Sequence, residues 1–393
     1  MTYFSDYRFK ENIRKYNIED KDEIIFDLQN IDHSFTGRVD ANIANTFILE
    51  ASQMLVNSIA IFEMGYFDAA YYCLRESIEI ATLMAYFVDL DETRKEQEYL
   101  KWKVPTNRFS MQKEMIRILN EKGEVIKDMK FNMNNFFERM NNISNELNKY
   151  VHKQGLNNLY VSKNHPLSLG NNPEFKDKKT IEIFKYYLKQ CIGIVAIMRL
   201  SIDPFPILLT DKEIYNRTND IIMEPYSQDF INKYLMVDDI EAYKTTNFYK
   251  EHYNDIMRMP LKSNCVTDII KSHYIDLNER EQILSEIEIL SFPFNIVALL
   301  AIKIKDSVKI HTYGGFYTFF TSNPSNRSKL EFSSRDFMEF KNNDFNKKYY
   351  EVFISTVKVK DELFYIEHNN KFCDDDINYV KELVNELNKI YNN

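Results

Sequence analysis

The feature that most constrains this sequence is a helical pattern running from Ala41 to Phe87, interrupted only at Gly65. Its apolar residues recur at the spacing of one helix face. Glycine is the usual residue just beyond a helix C-terminus, so Gly65 marks the expected end of the first helix. Two long helices separated by a single glycine are expected to pack as an antiparallel hairpin.

The composition extends this expectation to the rest of the chain. Eight glycines and nine prolines in 393 residues amount to about a third of the usual share. Scarce helix breakers and abundant helix formers favour long helices. The net charge of −9 excludes a general nucleic-acid coat, because such a surface lacks overall attraction to phosphate. A local basic patch is still compatible with this charge.

Further helices are expected on either side of short breaks. The pattern predicts them over residues 108–121, 124–154 and 178–199. Pro204 and Pro206 then end the last of these helices, because a residue preceding proline resists helical conformation. This segment is therefore the expected boundary of a helical N-terminal bundle.

Beyond Pro293 the pattern changes towards strands. Alternation in AIKIK and VKIHTY, with a turn at residues 314–315, predicts one hairpin, and a turn near residues 360–361 predicts another. Three aspartates at 374–376 open a terminal helix. The fold class is thus mainly α with a smaller α+β part, in which an antiparallel sheet is closed by a helix. The expected domains are helical residues 1–205, a helical connecting region 206–292, and a small α+β domain 293–393.

A polar stripe borders the core face of the second helix of the hairpin. Arg75 and Glu79 lie on it four residues apart and can pair, and the same stripe includes Asp68, Tyr72 and Thr82. One interpretation is an ordinary surface ion pair. The other is an arginine held in the groove where another helix packs, in position to bind a phosphate with two hydrogen bonds.

A second polar stripe lies near the end of the helix predicted over 124–154. Asn148 and His152 are neighbours on it at positions i and i+4. If the two striped helices pack together, these side chains share a groove with Arg75 and Glu79, and the imidazole can act as a general acid or base. The alternative is that His152 only caps the helix end before Gly155, where a cation suits the helix dipole.

Two windows without acidic residues form positive islands in this acidic chain. With interleaved aromatic residues they can receive a single-stranded nucleic acid through backbone charge and base stacking. Charge runs of this length also occur on solvated surfaces. The candidate substrate-binding residues in the two windows are Lys149, Tyr150 and Lys153, and Lys101, Lys103 and Arg108.

No metal site, cofactor site or membrane segment is expected. The four cysteines lie far apart with no CxxC pair, and the grouping of Cys265, Asp268, His273 and Asp276 matches no known ligand spacing. The polar N-terminus is unlike a signal peptide, and the apolar runs are too short to cross a bilayer. We expect a cytoplasmic protein.

Two segments together resemble the HEPN superfamily of prokaryotic defence, toxin–antitoxin and abortive-infection systems. They are LRESIEI (74–80) and NELNKYVHKQG (145–155), and the resemblance covers about residues 41–200. It implies a helical domain in which His152 matches the motif histidine and Asn148 the motif polar residue. Leu147 stands where the motif arginine belongs. Either Arg75 supplies the guanidinium from the other helix, or the domain binds RNA without cutting it.

The resemblance implies metal-independent endoribonuclease chemistry at a site shared by two protomers of a homodimer. His152 would take the proton from a ribose 2′-OH, Arg75 and nearby lysines would stabilise the developing charge, and Asn148 would orient the groups. Residues 206–393 would bind a trigger or a protein partner. The alternative hypothesis is a non-catalytic helical scaffold or sensor that binds a protein or a small ligand.

Overall fold

A computed structural model describes residues 15–104, 109–155, 173–218, 223–324 and 337–391, with side chains from 178 onward in the third range. The chain divides into two compact units. The first contains the described residues up to 215 together with those from 223 to 256, and the second contains 216–218 and those from 257 onward. The segment 206–292, expected as a connecting region, therefore contributes to both units.

The first unit is helical throughout. Within the described ranges, no helix is long and apolar enough to cross a lipid bilayer. Short 3₁₀ segments, such as Val39–Ala41, join some of the helices. The helices are α1 Lys21–Asp27, α2 Gln29–Asp32, α3 Ile43–Glu63, α4 Phe67–Val88, α5 Glu92–Lys103, α6 Gln112–Lys122, α7 Val125–Asn132, α8 Asn134–Val151, α9 Pro173–Arg199, α10 Phe205–Leu208, α11 Lys212–Arg217 (whose last residues belong to the second unit), α12 Gln228–Tyr234, α13 Val237–Lys244 and α14 Asn247–Met257.

The predicted hairpin is confirmed and forms the centre of the first unit. Helices α3 and α4 pack along their length, and Gly65 makes the turn at a φ of 87°, a left-handed conformation that suits glycine. The α4 residues facing the core, including Leu74 and Ile78, are fully buried. Helices α8 and α9 pack against α4 from the other side. This packing brings the second polar stripe next to the first.

The single helix expected over 124–154 is instead two helices, which is a correction to the sequence prediction. The helical path breaks at Met133, whose φ and ψ of −118° and 37° lie outside the helical range. Met133 is buried in the core. An apolar residue that continues the periodic pattern conceals such a break, because the pattern records burial and not the path of the backbone.

The second unit combines helices with one six-stranded sheet. Short 3₁₀ turns occur at Leu277–Glu279, Ile287–Ile289 and Tyr313–Gly315. The strand order is β1-β3-β2-β6-β5-β4. The elements are α15 Asn264–Lys271, β1 Tyr274–Ile275, α16 Arg280–Ser285, α17 Phe294–Lys303, β2 Ser307–Thr312, β3 Tyr317–Thr321, β4 Lys347–Tyr349, β5 Val352–Val359, β6 Glu362–His368 and α18 Asp374–Tyr391.

Two expectations for this unit were wrong. The sheet is mixed and open rather than antiparallel, because β1 runs parallel to β3 while the other pairs are antiparallel. The AIKIK segment lies at the end of helix α17, not in a strand. A nearly continuous apolar run satisfies the helical and the strand period equally, and Pro293 starts the helix here. The hairpin turning at residues 360–361 and the terminal helix from Asp374 are confirmed.

Candidate functional site

The first feature of the site is a direct contact between α4 and α8. The Nε of Arg75 donates a hydrogen bond of 2.6 Å to the Oδ1 of Asn148, 73 residues further along the chain. The same guanidinium pairs with the Glu79 carboxylate one turn along α4. The side chains of Arg75 and Glu79 are only 14% and 19% exposed. The packing of α4 on α8 therefore brings Arg75, Glu79 and Asn148 into contact.

Glu79 carries a perturbed carboxyl. Burial raises the pKa of Glu79, the Arg75 guanidinium opposes that rise, and the neighbouring Glu76 adds to it. Glu76 also raises the pKa of Tyr72, which lies one turn earlier on α4. Two carboxyls one turn apart on a helix repel when both are ionised. Arg75 thus pairs with a carboxyl that has a second carboxyl, Glu76, beside it. Its surroundings are therefore more acidic than the pairing with Glu79 alone would make them.

His152 lies at the C-terminal end of α8. This is the position expected from the alternative interpretation, in which His152 caps the helix. Its backbone N–H donates to the Asn148 carbonyl oxygen at 2.8 Å, and its side chain is exposed. Positions i and i+4 lie on the same helix face, so His152 is one turn beyond Asn148 on the side that meets α4. His152 is therefore exposed to solvent one helical turn from Asn148.

The lysines next to His152 are paired with acids. Lys149 Nζ lies 2.5 Å from the Oε1 of Glu146, on the same helix. Lys153 forms an ion pair with Asp68 near the start of α4, and both side chains are 39% exposed. Exposed pairs of this kind are weak and can exchange partners. Lys149 and Lys153, the lysines of this positive island that lie in the described residues, are thus both paired with acids.

Tyr150 belongs to the core rather than to an open surface. Its ring stacks on Tyr71 with centroids 4.1 Å apart and an angle of 15° between planes, and it meets Tyr187 edge-on at 6.0 Å. Burial raises its pKa. Stacking on Tyr71 therefore covers one face of the Tyr150 ring, and Tyr187 packs against the same ring at an angle of 74°. The structure therefore gives Tyr150 a packing role between α4, α8 and α9.

The second positive island lies elsewhere in the first unit. Trp102 on α5 packs edge-on against Phe87 at the far end of α4. Phe87 is about 18 Å along the helix from Arg75, given 1.5 Å per residue. Lys101 pairs with Glu98 at 2.6 Å, Lys103 is exposed, and Arg108 lies outside the described residues. The structure does not bring Lys101 and Lys103 to the Arg75 groove.

The position that the resemblance assigns to arginine is occupied by a core residue. Leu147 is fully buried between the packed helices. A charged side chain there would have to enter the core, so α4 is the only source of a guanidinium at this groove within the described residues. Sequence reasoning missed Glu76, although its spacing from Glu79 on a helix was a usable signal.

The described residues contain no group of three or more His, Cys, Asp or Glu side chains that could hold a metal ion. Comparison with family models, with curated proteins and with solved structures finds no match to the chain. A function can therefore be argued only from the geometry of the site and from the resemblance of two short segments to the HEPN superfamily.

Proposed function

We propose that the first unit carries a metal-independent, HEPN-like site that cleaves RNA, as a cytoplasmic effector of prokaryotic defence. The observation that supports this most directly is the 2.6 Å contact between Arg75 and Asn148, one helical turn from the exposed His152. It supplies a guanidinium, an amide and an imidazole from two helices at one groove. These are the group types that phosphodiester cleavage through a ribose 2′-OH requires.

In this proposal His152 is the general base. It removes the proton of the 2′-OH, whose oxygen attacks the adjacent phosphorus, and as the bond from phosphorus to the 5′-oxygen breaks, that oxygen takes up a proton from solvent. Arg75 stabilises the charge that develops on the phosphate oxygens. A guanidinium has five N–H donors, so it can keep its contacts with Asn148 and Glu79 and still donate to a phosphate. Asn148 and Glu79 are positioning residues that fix the guanidinium.

Because Lys149 and Lys153 are paired with acids, the binding of RNA in this proposal is an exchange of ion pairs. An RNA phosphate that approaches His152 competes with Glu146 for Lys149 and with Asp68 for Lys153. Both pairs are exposed, so exchange costs little. The proposal includes a homodimer that brings two such grooves together, and a trigger or protein partner bound through residues 206–393.

The test is cleavage of end-labelled RNA by the purified full chain, with His152→Ala and Arg75→Ala compared to wild type. We expect each variant to lose about 10²–10⁴-fold in rate, the usual contribution of a general base or a charge-stabilising group. Matched controls are His33→Ala and Arg117→Ala, which remove an exposed histidine and an exposed arginine of the same unit. RNA with a 2′-deoxy sugar at the scissile position should resist cleavage. Equal rates for wild type and both site variants would overturn the assignment.

A second candidate function is a non-catalytic helical scaffold that binds a protein partner. It is favoured by the acids that pair with the basic side chains here, since Glu79 pairs with Arg75, Glu146 with Lys149 and Asp68 with Lys153. It predicts no RNA turnover by wild type and a reproducible protein complex isolated from the native host. RNA affinity that falls steeply with salt would contradict it, because such a slope reports contacts with phosphate.

A further inference from the structure

The sheet of the second unit has two chemically different faces. One face packs on helices through apolar side chains such as Ile310, Phe319 and Ile366, all fully buried. The opposite face carries a polar row beside a smaller apolar cluster that includes Phe337, whose ring centroid lies 5.2 Å from that of His311. His311 on β2 is directly opposite Thr318 on β3, and Lys309 on β2 is directly opposite Glu367 on β6. Cross-strand partners point to the same side of a sheet, so these four side chains share one face.

Three of these groups are connected by hydrogen bonds through the imidazole. His311 Nδ1 lies 2.9 Å from the Thr318 hydroxyl oxygen, and its Nε2 lies 3.3 Å from the Glu367 carboxylate. A neutral imidazole has one N–H, and an ionised carboxylate only accepts hydrogen bonds. For a neutral His311 beside an ionised Glu367, the N–H is on Nε2 and donates to the carboxylate. The lone pair of Nδ1 is then directed at the hydroxyl of Thr318, in position to take its proton.

The burial of this row indicates more than a packing role. His311 and Glu367 are 1% and 0% exposed, while Thr318 is only half-buried. Lys309 Nζ lies 3.9 Å from the second carboxylate oxygen and compensates its charge. Buried charged groups are costly compared with apolar residues of similar volume. An oriented base hydrogen-bonded to the hydroxyl of a half-buried residue is the general arrangement of an activated nucleophile.

We propose that Thr318, His311 and Glu367 form a nucleophile, base and orienting carboxylate that accept an acyl group from a carboxylic ester. The Thr318 oxygen attacks the ester carbon, its proton moves to His311 Nδ1, and the alcohol leaves with the electron pair of the broken C–O bond and that proton. Water then hydrolyses the acyl-threonine by the same path. Phe320, two residues along β3 on the same face and 46% exposed, suits an apolar acyl chain.

The experiment uses the full chain with p-nitrophenyl butyrate. We expect a burst of p-nitrophenolate and a mass gain of one butyryl group, located on Thr318 by peptide mapping. Thr318→Val should lose at least about 100-fold in acylation rate, and Thr318→Ser should retain it because it keeps the hydroxyl. Glu367→Gln should lower the rate about 10–100-fold, since the imidazolium formed in the step loses its counter-charge.

Controls separate this chemistry from general reactivity and from unfolding. Thr356→Val replaces a buried hydroxyl of the same sheet that has no hydrogen-bond partner among the described residues, and its acylation should match wild type. Cys373→Ser removes an exposed thiol that esters can modify. Thermal unfolding of every variant reports folding. Absence of a burst in wild type, a butyryl group on another residue, or equal rates for Thr318→Val and wild type would each overturn the proposal. RNA cleavage by the first unit is unaffected by any of these outcomes.

Discussion

Arg75 and Arg199 each pair with an acid four residues along the chain, yet their surroundings differ. Arg199 and Asp203 are 0% and 1% exposed, and the Arg199 Nε also donates to the Ser34 carbonyl oxygen at 2.6 Å. Arg75 and Glu79 are 14% and 19% exposed, and the third partner is the amide of Asn148. Arg199 ties a loop to a helix end inside the core. Arg75 lies where α4 meets α8 and stays partly exposed to solvent.

The difference teaches that an i,i+4 spacing alone does not separate a structural arginine from a functional one. What separates them is exposure and the identity of the third partner. A backbone carbonyl is a permanent acceptor, whereas a half-buried amide beside an exposed histidine can reorient.

Replacing Arg199 with methionine should cost about 3–5 kcal/mol of unfolding free energy, because it leaves the Asp203 carboxylate buried without its counter-charge. Urea denaturation measures this loss. The double variant Arg199→Met with Asp203→Leu should recover much of it, since both buried charges are then removed. A loss below about 1 kcal/mol in the single variant would remove the distinction between the two arginines.

Replacing Arg75 with methionine should cost less, about 1–2 kcal/mol, because water reaches Glu79 and Asn148 once the guanidinium is gone. The same denaturation experiment measures it. RNA cleavage should nevertheless fall far more in this variant than in Arg199→Met assayed under conditions where both are folded. The reverse order of activities would contradict the proposed site.

Glu79 should give a pH dependence of stability that Glu79→Gln lacks. Its folded pKa lies above the ordinary value of 4.5, so the folded state holds the proton more tightly than the unfolded chain does. The contribution of Glu79 to stability therefore declines as the pH rises from about 4.5 through the folded pKa. Unfolding free energies measured across this range should fall more in wild type than in the glutamine variant. Parallel curves would show that the Glu79 carboxyl is not perturbed.

Arg117→Met should have the smallest effect, at most about 0.5 kcal/mol. Arg117 pairs with Glu121 at 2.8 Å, also at i,i+4, but both side chains are more than half exposed. Denaturation in low and high salt measures the loss and its screening. A cost as large as that of Arg75→Met would mean that exposure does not rank these pairs.

Local signals predicted much of the helical unit. Gly65 and the apolar period predicted the hairpin of α3 and α4, and the polar stripes predicted that Arg75 and Asn148 share a groove. The stripes could not predict that Tyr150 stacks on Tyr71, because its ring neighbours come from two other helices, α4 and α9. Counting the charges within a short segment of sequence could not predict the ion pairs of Lys149 and Lys153 either. Such a count omits acids outside the segment, such as Asp68, which folding brings next to Lys153.

The second unit was predicted less well, for a physical reason. Its parallel pairing of β1 with β3 joins Tyr274 to Phe320, and no local pattern specifies a partner so distant. The polar row around His311 was not anticipated either, since the Thr318 and Glu367 side chains reach it only through the register of three strands. The alternation of VKIHTY did indicate that every second residue of β2 shares one face.

The burial of Leu147 has a consequence for how the proposed site can vary. Because Leu147 is buried in the interior, the guanidinium of Arg75 and the imidazole of His152 come from separate helices, α4 and α8. The distance between these two groups depends on how the two helices pack. A change in interior volume, such as Phe184 shortened to leucine, would alter that spacing while touching neither group. Alignment of the reacting groups then becomes a property that mutations deep in the bundle can adjust gradually, without changing the chemistry itself.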